Sequence, residues 1–70
     1  MKEIWKDIPG YEGLYQVSNL GNVRSLRFET PKLLRQRTDA YGYKILDFCV
    51  YGIQKTLKVH RLVAMAFLPN

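Results

Sequence analysis

The chain has 70 residues, a formal net charge of +5 and 47% hydrophobic residues, so it makes one small domain that hides only about 60% of the surface its unfolded chain exposes. Cys49 is the only cysteine and His60 the only histidine, which excludes an internal disulfide and leaves too few ligands for a structural zinc site. The start, MKEIWKDIPG, lacks the apolar run of a signal peptide, and no stretch approaches the ~20 apolar residues of a membrane span. The sequence therefore reads as a cytoplasmic protein with no membrane partner. A single cysteine suits a reducing compartment. A fold this small usually needs a staple, and the expected substitute is a partner, a nucleic acid or a C-terminal continuation.

The charge is unevenly placed. In residues 1–20, Lys2 and Lys6 stand against Glu3, Asp7 and Glu12. In residues 21–37, Arg24, Arg27, Lys32, Arg35 and Arg37 stand against Glu29 alone, and in 38–70 Lys44, Lys55, Lys58 and Arg61 stand against Asp39 and Asp47. A basic stripe in the middle and after it is the electrostatic footprint of a nucleic-acid binder, the alternative being a solvated face.

In chain order, Pro9-Gly10 and Glu12-Gly13 break regular structure near the start, so Trp5, Ile8 and Tyr11 are expected to cap a sheet edge as core residues. Leu14–Ser18 and Val23–Phe28 read as the strands of a hairpin joined through Asn19-Leu20-Gly21-Asn22, since Gly and Asn tolerate positive φ. Leu33–Arg37 can form another strand, and Asp39–Gly42 a turn. Tyr43–Val50 is the longest strand candidate, with Leu46 and Phe48 on one face and Ile45, Asp47 and Cys49 on the other. Cys49 is expected to be part-buried. After a turn at Tyr51–Gln54, Lys55–Val59 alternates like a half-buried strand. From His60 the period changes: Leu62, Val63, Ala66 and Phe67 line one side of a helix that Pro69 stops. The fold class is α+β: small antiparallel hairpins followed by one short C-terminal helix, divided as a β-rich module over 1–59 and a helix over 60–70 packed on the same domain.

The run from Glu3 to Ser25, with its W-K-x-I, G-Y-E-G-x-Y and V-S-N-x-G-x-V-R-S pieces, resembles the nuclease-associated modular DNA-binding motif found at the N-terminus of many phage and bacterial HNH homing endonucleases. Gly42-Tyr43, Lys55-Thr56, Val59–Ala64, Ala66-Phe67 and Pro69-Asn70 are similar to the segment leading into the HNH core of the same proteins. The resemblance implies a bacterial or phage-encoded module that grips double-stranded DNA beside the cut site. It also implies that the catalytic ββα-metal motif lies after residue 70, that His60 is not the catalytic histidine, and that a divalent metal such as Mg belongs to the parent nuclease. The chain by itself is expected to have no catalytic residue, no metal site and no cofactor. Tyr11, Tyr15 and Tyr43 match motif positions expected in the core, whereas Tyr41 and Tyr51 fall in turns.

A two-stranded ribbon fits the major groove, where Arg reads guanine and Asn or Gln reads adenine. Arg24, Arg27, Asn22 and Gln16 on the first hairpin are the candidates for base edges, against turn-forming for Asn22 and a surface ion pair for Arg24. Ser18 is expected to satisfy the turn backbone. Lys55 and Lys58 are candidates for phosphates, and Arg35, Arg37 and Lys44 complete the basic set. The rival is a protein-interaction fragment that docks on a nuclease chain or self-associates through the apolar Met65-Ala66-Phe67-Leu68 end.

Overall fold

The computed structural model describes residues 2–68. Among the described residues seven strands precede one helix: β1 (Trp5–Asp7), β2 (Tyr15–Ser18), β3 (Val23–Ser25), β4 (Lys32–Leu33), β5 (Arg37–Thr38), β6 (Lys44–Val50), β7 (Ile53–Lys58) and α1 (Val59–Phe67). They form two antiparallel sheets, β1-β2-β3-β4 and β5-β6-β7, so the α+β expectation of hairpins and a final helix holds.

In the first sheet, alternation sends Tyr15, Val17, Val23 and Ser25 inward and half-exposes Gln16 and Arg24 between them. The β2–β3 turn is held by Ser18, which is wholly buried; its Oγ accepts the N–H groups of Leu20 (3.2 Å) and Asn22 (3.1 Å). Gly21 there has φ +86°, a conformation that L side chains rarely adopt. The N-terminal stretch is more regular than expected: Trp5–Asp7 is a strand paired with β2, ending before Pro9, which has no N–H to donate. The second strand of the hairpin stops at Ser25, short of Phe28.

The expected strand Leu33–Arg37 is two short strands in different sheets. Lys32–Leu33 pairs with β3 and Arg37–Thr38 with β6. Successive side chains of a strand face opposite ways, so Leu33 is exposed while Leu34 packs against the core. The chain is fastened on its way across by Leu34 N–H to Val23 O (2.8 Å) and Gln36 Nε2 to Gly21 O (2.8 Å).

In the second sheet, Leu46 and Phe48 are buried and Asp47 and Cys49 exposed, as the alternation predicts for the first three; Cys49 is exposed where partial burial was expected. The hairpin turn is only Tyr51-Gly52, with φ +54° and +77°, so β7 starts at Ile53. Positive φ at both central residues is the arrangement that matches strand twist in a two-residue loop. The helix begins at Val59, one residue before His60, and buries Val59 and Leu62 with Val63, Ala66 and Phe67 partly covered. Nine residues do not make a stable helix alone; α1 packs on β1 and β2 of one sheet and on β6 and β7 of the other. The stop expected at Pro69 lies outside the described residues.

The two sheets meet through aromatic rings. Tyr15 stacks on Phe48 with centroids 4.0 Å apart and planes 8° from parallel, and Tyr11 meets Phe48 edge-on at 5.0 Å. Ile8, Val17, Val23, Leu46, Val59 and Leu62 complete the core. Tyr43 lies outside it, 46% exposed, because it stands beside the N-terminus of α1, where its ring meets His60 and Lys58. Tyr41 and Tyr51 are exposed as expected.

Candidate nucleic-acid interface

The pairing registers align Asp7, Gln16, Arg24 and Leu33 as one row across the first sheet. The row lies on the face opposite the core residues Val17 and Val23. Its polar members are hydrogen-bonded in sequence: Gln16 Nε2 donates to Asp7 Oδ1 at 2.8 Å, and Arg24 donates from Nε (2.9 Å) and Nη2 (2.7 Å) to Gln16 Oε1. The Arg24 guanidinium also lies 4.2 Å from the centre of the Trp5 ring, a cation–π contact. Trp5, expected in the core, is instead a half-buried platform on the outer face, because a strand through residues 5–7 turns it away from the interior.

The other two base-edge candidates are placed differently. Asn22 Nδ2 donates to Glu3 Oε2 at 2.6 Å, and the neighbouring Asn19 accepts Ile4 N–H at 2.8 Å, so these asparagines clip the N-terminal arm to the turn. Glu3 is held below the usual glutamate range, first by the Ser18 hydroxyl and then by the Asn22 amide. Arg27 reaches toward the other sheet: Nη1 donates to Cys49 O at 2.7 Å and to Tyr15 OH at 3.3 Å. It joins the sheets instead of standing beside Arg24.

The remaining basic residues are distributed over the second half. Arg37 pairs with Asp47 at 2.8 Å, and Thr56 also donates to that carboxylate. Lys44 Nζ donates to Thr38 Oγ1 at 2.9 Å, and Lys58 Nζ lies 5.0 Å from the Tyr43 ring. Arg35 and Lys55 are exposed. Lys55, Lys58 and Arg61 border a groove of about 780 Å³ between the 8–14 loop, the β6–β7 hairpin and α1. The structure thus gathers Gln16 and Arg24 on one sheet face and Lys55 and Lys58 at one groove, and keeps the two sets apart. Sequence reasoning missed Trp5, Asp7 and Arg61. The 5/7 alternation is a usable signal for the first two once residues 5–7 are recognised as a strand.

Among the described residues no three His, Cys, Asp or Glu converge, and Asp47 is engaged by Arg37 and Thr56. No described helix is long and apolar enough to cross a membrane.

A family model described as the NUMOD4 motif matches residues 3–49. The DNA endonuclease I-HmuI of Bacillus phage SP01 is 48% identical over 63 residues, covering 90% of this chain and 35% of that protein. An uncharacterized HNH endonuclease, L247, of Acanthamoeba polyphaga mimivirus is 44% identical over 75 residues, covering 97% of this chain and 17% of that protein. The solved structure of DNA binding and cleavage by the HNH homing endonuclease I-HmuI superposes with a TM-score of 0.80 at 47% identity, over 91% of this chain and 36% of that one. The chain therefore spans about a third or less of the relatives it matches, and the resemblance read from its motifs is confirmed.

Proposed function

The chain belongs to the NUMOD4 motif family, and from that premise we propose that it binds double-stranded DNA as the recognition module of an HNH homing endonuclease. The observation that carries this is the close structural match, at 47% identity, to an enzyme described as binding and cleaving DNA. Residues 1–59 act as the module, and 60–70 lead toward the nuclease core of a protein that works in the cytoplasm of a bacterium or a phage-infected cell. The whole protein is a hydrolase using a divalent metal such as Mg; this chain supplies grip and register, and no bond-breaking step.

Two kinds of contact divide the work. Phosphate contacts position a protein on the duplex, and base contacts specify the site. Arg35, Lys44 and Lys55 are exposed and Lys58 half-buried, all cations suited to phosphates, with Arg37 held by Asp47 at the edge of the three-stranded sheet. Arg24 suits a base edge, and Gln16, whose amide is bonded to both Asp7 and Arg24, holds it in place. Asn22 and Arg27 serve DNA only indirectly, by fixing the turn and the angle between sheets.

The test is binding of the 70-residue chain to mixed-sequence duplex over a salt series. Log K is expected to fall with log salt by about 0.9 per phosphate contacted. Lys55→Ala and Lys58→Ala should each reduce that slope by about 1. Salt-independent or absent binding refutes the proposal.

A second reading, self-association through the C-terminal helix, is favoured by one feature: Met65 (54% exposed) and Ile53 (70%) line the apolar part of the 780 Å³ groove. Sedimentation equilibrium decides it, a dimer abolished by Met65→Glu being the supporting result.

A further inference from the structure

Arginine carries five N–H donors in a planar fork. In Arg24 two of them, on Nε and Nη2, point at a single acceptor, Gln16 Oε1. Gln16 is itself oriented: a carboxylate only accepts, so Asp7 Oδ1 fixes the amide nitrogen on its own side and leaves the oxygen facing Arg24. Trp5 supports one face of the guanidinium at 4.2 Å. The group is therefore held along one edge and over one face. The end edge, Nη1 with the outer proton of Nη2, has no hydrogen-bond partner among the described residues. That free edge offers two parallel N–H groups, the geometry that meets guanine O6 and N7.

A phosphate accepts the same fork, and two features favour the base. Asp7 stands in the same row, where its carboxylate repels a phosphate. The row from Asp7 to Arg24 crosses three strands, about 10 Å at the usual strand spacing, which fits a major groove about 12 Å wide. We infer that Arg24 reads one guanine in the major groove, with Gln16, Asp7 and Trp5 as positioning residues. This rests on the DNA-binding reading above.

The experiment is selection by the 70-residue chain from a pool of duplexes with a randomised segment, followed by salt series on the selected duplex. Wild type should select guanine at one position. Arg24→Met should lose about tenfold of that discrimination with an unchanged salt slope, and Asp7→Ala and Trp5→Leu should relax the same position and no other. A uniform loss of affinity with the slope reduced by about 1 assigns Arg24 to a phosphate and overturns the inference while leaving DNA binding intact. Unchanged selectivity in Arg24→Met and Asp7→Ala also overturns it. Absence of salt-dependent binding by wild type removes both the inference and the reading beneath it.

Discussion

The two sheets are built on opposite plans. The four-stranded sheet has short strands, but Ser18, Asn19, Asn22 and Gln36 fasten its turn and its neighbours by side-chain bonds, and its outer row is bonded from Asp7 to Arg24. The three-stranded sheet has the longest strands, yet Ile53 to Thr56 are all exposed and the hairpin tip carries Tyr51 at 92% exposure. Stability within a domain follows burial and bonded contacts, not strand length. Under the proposed function, selective contacts suit the firmly bonded sheet, where a fork must hold its angle. Under the same proposal the looser sheet's Lys44, Lys55 and Lys58, whose point charges tolerate movement, suit phosphates. Amide exchange should follow this: Val17 and Val23 slow, the Gln54–Thr56 stretch fast.

The contrast breaks first at the residue both sheets share. Phe48 is 1% exposed and stacks on Tyr15. Removing a buried phenylalanine costs about 3–5 kcal/mol, against a total of roughly 4–10 kcal/mol for a domain of this size. Phe48→Ala should leave little or no cooperative transition in chemical denaturation, with both sheets lost together. Next is Ser18→Ala, which strips two turn N–H groups of their acceptor. It should cost about 1–3 kcal/mol. Its counterpart in the other sheet, Arg37→Ala, removes an ion pair whose arginine is 58% exposed and should cost no more than about 1 kcal/mol. Equal losses from these two substitutions would refute the contrast.

Much of this was legible beforehand. The Asn19–Asn22 turn, the Leu46/Phe48 face and the helix from its Leu62/Val63/Ala66/Phe67 spacing each depend on local pattern, and each was found. The misses share a cause. A strand of three residues such as Trp5–Asp7 carries no periodicity of its own and exists because β2 offers a partner. Leu33 and Leu34 look like one strand until the chain is seen to change sheets between Leu33 and Arg37. Arg24 and Arg27 are similar in sequence context, and only the fold shows that one lies over Trp5 while the other, exposed, reaches across to Cys49 O of the other sheet. The sequence pointed to Gln16 and Arg24 but not to Trp5 and Asp7 beside them, because long-range pairing alone brings those four together.

The looser sheet also contains a removable weakness. Tyr51 holds φ +54° while making almost no contact. A left-handed conformation costs an ordinary L residue about 1–2 kcal/mol, and Asn-Gly is the preferred pair for such a turn. Tyr51→Asn should stabilise the chain by about 1 kcal/mol, a rise in Tm of about 4–8 °C. Gly52→Ala, at φ +77°, should act in the opposite direction.

The smallest expected effects are electrostatic, and each sheet has one. Glu3 is lowered chiefly by the Ser18 hydroxyl, and Asp39 chiefly by the Tyr43 N–H, with Tyr41 N–H bonding the same Oδ1. A carboxyl whose folded pKa is depressed contributes stability that is complete above its unfolded pKa and is lost as pH falls through the folded value. Thermal stability should therefore start to fall near pH 4, about the unfolded carboxylate value, and keep falling below it. Asp39→Asn retains an oxygen for both N–H groups, so it should flatten this acid limb with little change at neutral pH. Glu3 should respond to Ser18→Ala by titrating at higher pH in carboxyl NMR while Asp39 stays where it was. Movement of both carboxyls together would mean that the two sheets are electrostatically coupled, and the rigid and loose regions would have to be treated as one unit.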